Sequence, residues 1–257
     1  MARQGPGRPQ RWMAALDKIR LTGLLRKAPL RRGLLLAGAP TACSLGAVSA
    51  DVHHPLFARF FDRLSRVLER EIGPRRAELV ADLSGRVLEV GAGNGINFRR
   101  YPSSVQEVVG LEPEPYLRAR AERAAAAAPV PVKVQPGVAS PLDFEDRTFD
   151  AAVTCLVLCT VPDQAAALDE LRRVLKPGGE LRFLEHVRSG NPGKARIQLT
   201  LDRARVWPSV AGGCHCARDT VAGIEAAGFE VRGVRPIDVG PGWVLTNPHV
   251  IGIARAR

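Results

Sequence analysis

The chain has 257 residues, 46% hydrophobic and 25% charged, with a net charge of +11. That balance suits a globular protein and excludes a low-complexity chain, and no run of about 20 apolar residues marks a membrane-spanning helix. The charge is uneven: residues 1–50 hold nine Lys or Arg and one acid, Asp17, a local +8 that leaves +3 for residues 51–257. The basic character belongs to a tail, and nucleic acid is not an expected partner.

Residues 1–50 read as a basic extension outside the core, and residues 51–257 as one domain. Gly5, Pro6, Gly7 and Pro9 break structure at the start. Asp17 to Lys27 has the broken apolar stripe of a short amphipathic helix. Leu34 to Ala37 and Val48 to Ala50 resemble a signal peptide in outline, interrupted by Pro40. A solvated, disordered tail is the favoured reading; a leader and a misplaced start codon are the alternatives. Such a tail allows weak contact with an anionic membrane surface.

From His54 the pattern changes. Leu56, Phe57, Phe60, Phe61, Leu64, Val67 and Leu68 recur at three- and four-residue steps, which predicts a helix over 55–72 closed by Gly73-Pro74. A second helix is expected from Arg75 to Asp82. Then comes RVLEVGAGNGINFRRYP, residues 86–102, around which the chain is organised. Its apolar opening predicts a strand buried on both faces. Gly91, Gly93 and Gly95 permit a tight turn, and Ile96 to Tyr101 reads as the first turns of a helix. A dinucleotide site wants G-x-G-x-x-G for its pyrophosphate. Here an acid, Glu89, precedes glycines at alternate positions, which suits a cation or an amine better than a phosphate.

Val105 to Leu111 predicts a second strand, ending in Glu112-Pro113. An acid there can accept from both ribose hydroxyls of a nucleoside. Leu117 to Ala128 reads as helix, Val132 to Val134 as strand, and Gly137 to Phe144 as a loop. Phe149-Asp150 opens a fourth strand that runs into AAVTCLVLCTV, residues 151–161. Pro162 to Leu175 predicts a helix stopped by Lys176-Pro177-Gly178-Gly179, and Glu180 to Glu185 a fifth strand. Residues 187–216 read as an insertion with a helix from Lys194 to Trp207. Asp219 to Ala227 is a last helix, and Phe229 to Pro236 and Val250 to Ala254 are closing strands.

The five cysteines are odd in number and two lie in an apolar run, so a disulfide framework is not expected and a reducing, cytoplasmic setting is. Cys214-His215-Cys216 has no second Cys/His pair at zinc spacing, so no metal is expected. Cys159 reads as a buried structural residue.

The glycine motif, Glu112, the Phe149-Asp150 strand and the LKPGG turn together resemble class I S-adenosylmethionine-dependent methyltransferases of the type 11 kind. CLVLCTV, LKPGGELRFLEHV, GGCHCARD and the PHVIGIA ending look like the thiol S-methyltransferases of that class. The resemblance covers about residues 54–257. It implies an α/β fold: a Rossmann-like, seven-stranded, mostly parallel sheet with helices on both faces and a reversed last strand. It implies S-adenosylmethionine as cofactor, with Glu89, Gly91, Gly93 and Gly95 at the methionine end and Glu112 on the ribose. Ala92, Asn94, Asn97, Pro113, Cys155 and Leu156 complete the expected lining. Val138, Ala139 and Ser140 stand where many relatives carry an acid for the adenine amine, and here Val138 replaces it.

Methyl transfer needs alignment and desolvation more than acid–base chemistry when the acceptor is a thiol. Glu185 and His186 are the candidate catalytic pair. Three readings stay open: a small-molecule methyltransferase acting on a thiol; one acting on a quinone, a lipid amine or an oxygen; and a non-catalytic cofactor- or nucleic-acid-binding protein.

Overall fold

The structure is a computed structural model that describes residues 55–257; the readings of residues 1–54 lie outside the described residues. Helix α1 (Pro55–Val80) leads into β1 (Gly85–Val90), β2 (Val105–Leu111), α2 (Pro115–Ala125) and β3 (Val132–Gln135). Then follow β4 (Phe149–Cys155), α3 (Gln164–Val174), β5 (Leu175–His186), α4 (Pro192–Arg203), α5 (Val206–Val210), α6 (Thr220–Ala226), β6 (Phe229–Asp238) and β7 (Pro248–Ala256). The seven strands form one sheet in the order β3-β2-β1-β4-β5-β7-β6. Every pairing is parallel except those of β7, which runs antiparallel to both β5 and β6. The expected reversed last strand is therefore β7.

Alternation along each strand explains the layers. Leu88, Val109 and Ala152 point into a core with Leu168, Leu171 and Ile224, the face covered by α3 and α6. Their neighbours Val87, Val108 and Ala151 point the other way, into a core with Ile72, Leu79, Phe98 and Ala121, the face covered by α1 and α2. Strands buried on both sides read as continuous apolar runs, which is why β1, β2 and β4 were visible in the sequence.

Local polar chemistry sets the helix starts. Asp163, Asn191 and Asp219 each accept the backbone N–H three residues on, opening α3, α4 and α6. Glu114 does the same for α2 through Leu117 N–H, with Pro115 in the first turn.

Two expectations fail here. Gly73-Pro74 does not divide α1, which runs through Pro74 unbroken. Proline removes one backbone bond, but Ile72, Arg76, Leu79 and Val80 are all buried beside it, and that packing outweighs the local preference. No helix follows the glycine turn either: a single 3₁₀ turn, Phe98–Arg100, fills the connection to β2. The Phe98 ring takes the helix's place, lying 2.9 Å from where a Cβ on Gly110 would stand.

The LKPGG turn belongs to the start of β5 rather than to the end of α3, since Leu175 is already extended. Gly178 has φ +76° and nothing within 4 Å of its missing Cβ. Gly178→Ala is therefore expected to cost only the backbone term, about 1 kcal/mol, read as a small shift of the urea midpoint. A loss several times larger would mean that the turn carries a further constraint.

Candidate active site

Strands β1 to β5 end at one edge of the sheet, and the residues expected at the cofactor all lie along that edge. Gly91, Gly93 and Gly95 take φ values of +67°, +59° and +74°. A Cβ on Gly91 would stand 2.5 Å from Val157, so the turn after β1 lies directly against the turn after β4. Ala92 N–H donates to Leu111 O at 2.9 Å, lacing the first turn onto β2.

Glu112 is the hinge of this arrangement. One carboxylate oxygen accepts Gly93 N–H at 2.7 Å and the other accepts Glu114 N–H at 3.0 Å. Burial raises its pKa above the usual carboxylate value, against the pull of those two amides. The carbonyls of Glu112 and Pro113 both accept from Arg118. Above the turn, Asn94 donates to Asp62 Oδ1 at 2.9 Å and Ser65 Oγ at 3.0 Å, which sets α1 over the glycines. A cleft of about 460 Å³ opens beside Asn94, lined by Asp62, Arg66 and Arg120 among others. The larger cleft, about 600 Å³, lies between α4 and the β6–β7 connection and touches none of these residues.

Glu89 and Asn97 correct the sequence reading of their side chains. Both turn behind the glycines, not into the crevice. Alternation along β1 sends Glu89 to the α1 face, with Val87. There Asn97 Nδ2 donates to Glu89 Oε1 at 2.8 Å and Tyr101 OH donates to Oε2 at 2.7 Å. Arg76 donates to Asn97 Oδ1 at 3.0 Å and closes the chain of contacts. Burial pushes the Glu89 carboxyl up to about 7, opposed by the Tyr101 and Asn97 bonds and the Arg76 charge. Beyond β3, Ala139 is buried in the sheet core, Val138 and Ser140 are half-buried, and the Ser140–Pro141 peptide is cis.

The turn after β4 is fastened to β5. Burial pushes the Cys155 thiol up to about 11. Leu156 adopts φ +62°, uncommon outside glycine, and its N–H donates to Leu184 O at 2.8 Å. Val157 and Leu158 N–H both donate to Glu185 Oε1 at 3.1 Å. Glu185 is fully buried, its carboxyl is pushed up to about 8 chiefly by that burial, and Oε2 has no hydrogen-bond partner. Glu185 thus holds the turn.

His186, the other half of the expected catalytic pair, points to the opposite face of β5 and into a different cluster. Its Nε2 lies 2.6 Å from Cys214 Sγ, and Cys159 Sγ completes a group whose three atoms all lie within 4.8 Å of one another. All three residues are buried. A hydrogen bond from Cys214 holds the Cys159 thiol well below its ordinary range, with burial opposing and the His186 charge reinforcing. Cys214 keeps the proton and is pushed up accordingly. For His186, burial alone would lower the pKa, and the Cys159 thiolate more than reverses that. His249 meets the His186 ring edge-on at 5.9 Å, and burial pushes it down to about 4.

The sequence did not show this group, because its members come from three separate turns. Cys159 was read as structural and Cys214 as half of an unmatched pair. The signal available was position: Cys159 and His186 both follow or end neighbouring parallel strands at their carboxyl edge, where α/β sheets bind ligands.

Residues 88–183 match the family described as Methyltransferase domain. Human Thiol S-methyltransferase TMT1A is 31% identical over 212 residues, covering 77% of this chain and 85% of its own length. The Phosphatidylethanolamine N-methyltransferase of Cereibacter sphaeroides is 34% identical over 134 residues, covering 51% of this chain and 66% of its own. A SAM-dependent methyltransferase structure from Thermotoga maritima shares the fold with TM-score 0.56 and 22% identity, covering 79% of this chain and 99% of that one. The donor set fits such a cofactor. A buried carboxylate at the tip of β2 and a glycine turn bearing no Lys or Arg suit a cationic nucleoside without phosphates. The chain belongs to the class I S-adenosylmethionine-dependent methyltransferases, in the company of the thiol S-methyltransferases, and S-adenosylmethionine is its cofactor.

Proposed function

We propose that the chain methylates a thiol on a small molecule. The observation that carries the reading is the buried Cys159–His186–Cys214 group beside the turn after β4. It is a soft, sulfur-rich surface where an acceptor would lie. A thiol also asks little of the protein: about a few per cent is thiolate at neutral pH, already a strong nucleophile. The crevice matches that modest demand, because Glu185 is engaged by backbone amides and is not an open base. The similarity to a thiol S-methyltransferase over most of its length supports the same acceptor class.

In this reading Gly91, Ala92, Gly93, Asn94 and Gly95 surround the methionine end of the cofactor, and Glu112 takes the ribose hydroxyls, with Pro113 beside it. Val138, Ala139 and Ser140 face the adenine through backbone groups and the Ser140 hydroxyl, and Cys155 and Leu156 floor the reacting end. Glu89 and Asn97 act by bracing the turn. When bound, the cofactor supplies an electrophilic methyl group on a sulfonium. The protein's part is to align the acceptor and exclude water. The four described cysteines are free, which fits a reducing compartment, and we assign the chain to the cytoplasm.

The lipid-amine reading is the competitor, since a relative of that name matches half the chain. An ammonium must lose its proton before it can attack, so it needs a base that Glu185 is badly placed to be. Steady-state methyl transfer to an alkyl thiol, a hydroquinone and a phosphatidylethanolamine headgroup should favour the thiol by at least about tenfold in kcat/KM. Preference for the amine or the quinol would overturn the assignment.

A further inference from the structure

We propose that Cys159, His186 and Cys214 form a binding site for a divalent metal of the zinc class, with its fourth position open to the acceptor sulfur. The second half of this statement rests on the thiol reading above; the first half does not.

The three ligand atoms are two sulfurs and an imidazole nitrogen, the soft donor set zinc prefers. Three protein ligands with a fourth position left over is the pattern of catalytic zinc, whereas structural zinc is closed by four. The geometry is close to what the ion requires. Zinc bonds of about 2.3 Å to sulfur and 2.0–2.1 Å to nitrogen in a tetrahedron put the ligand atoms about 3.6–3.8 Å apart. Here all three lie within 4.8 Å, with His186 Nε2 and Cys214 Sγ at 2.6 Å. That one pair must open by about 1 Å. Cys214 can give this, because it follows Gly212 and Gly213, both at positive φ, on the loop after α5. Cys159 and His186 are fixed by the two strands behind them, so two ligands are preset and one is adjustable.

A second observation points to a missing partner. His186 is 6% exposed, and its Nδ1 makes no hydrogen bond among the described residues. A buried imidazole with one nitrogen against a sulfur and the other unmatched is costly unless something else is held there.

The chemistry follows. An acceptor thiol displaces water from the fourth position; its proton passes to solvent and a metal–sulfur bond forms, so the acceptor waits as a thiolate at neutral pH. In methyl transfer a carbon–sulfur bond forms to that thiolate as the sulfonium carbon–sulfur bond breaks, and its electron pair stays on the cofactor sulfur. The product is a neutral thioether, a weaker ligand, and it leaves.

The test uses the full chain, purified under reducing conditions without chelator. We expect about one zinc per chain by elemental analysis. Cobalt(II) added to the metal-free chain should produce a thiolate-to-cobalt charge-transfer band and tetrahedral d–d bands. Both Cys159→Ser and Cys214→Ser should lose the band, and Cys216→Ser should keep it. Should the variants fold poorly, the wild type decides alone: zinc should shield Cys159 and Cys214 from alkylation, mapped by mass spectrometry, and leave Cys216 unaffected. Chelation should raise KM for the thiol about tenfold or more and leave cofactor affinity unchanged. No cobalt band in the reduced wild type, or a band that survives in both variants, overturns the site. Thiol methylation by a chain that holds no metal sinks the site alone; metal binding without thiol turnover sinks the acceptor reading alone.

Discussion

Glu112→Ala will weaken S-adenosylmethionine binding about a hundredfold. Each hydrogen bond from a ribose hydroxyl to a carboxylate contributes about 1.5–3 kcal/mol, and two of them lost together exceed the roughly 3 kcal/mol that a hundredfold represents. In the ligand-free arrangement each carboxylate oxygen already accepts one backbone N–H, from Gly93 and from Glu114. Each keeps a second lone pair, and these are the pairs a ribose would use. The same contacts mean that alanine also leaves Gly93 N–H without its acceptor, which loosens the turn against which the methionine end would lie. An acid placed after β2 merely to favour the start of α2 would show a different result: a stability loss with affinity intact. That role is already filled by Glu114, which accepts Leu117 N–H at 2.9 Å. Glu112→Gln should fall between, at about tenfold, because one amide group must then face a backbone donor. Isothermal titration with S-adenosylmethionine checks both, and an unchanged affinity for the alanine variant would refute the ribose assignment.

How much of this was legible beforehand depended on whether the information was local. Val87 to Val90 and Ala151 to Val153 announced themselves because a strand covered on both faces has no polar alternation to hide it. Glu112 was findable because it sits at a strand end, at a fixed step from the first glycines. Pro74 misled because its penalty is local while its compensation, the burial of Ile72, Arg76 and Leu79, is not. Ile96 to Tyr101 misled for a related reason: Phe98 fills the space under Gly95 and Gly110 that a helix would have covered. Cys159, His186 and Cys214 could not be joined from spacing at all, since 28 residues separate the last two and the contact exists only once β4 and β5 are paired. Glu89 was read correctly as an unusual acid and aimed at the wrong side, because one residue along a strand reverses the face.

That reversal has a consequence for stability against pH. Glu89 is fully buried and its carboxyl is pushed up to about 7, against an ordinary value of 4.5. Between those two values the folded chain holds a proton that the unfolded chain has released. The folded state therefore binds more protons, and unfolding free energy falls as pH rises through the window. The full contribution is present below about pH 4.5 and lost above about pH 7. A shift of that size corresponds to about 3 kcal/mol, at about 1.4 kcal/mol per unit. Glu89→Gln removes the titration and keeps the shape: its carbonyl can accept from Asn97, and Tyr101 OH can accept from its amide nitrogen. The wild type should thus lose stability relative to Glu89→Gln as pH is raised, by up to about 3 kcal/mol across the window. Urea midpoints measured for both proteins at several pH values provide the comparison. Parallel curves would mean that Arg76, through Asn97, keeps the carboxylate charged throughout, and that the brace behind the glycines is an ion pair and not a protonated acid.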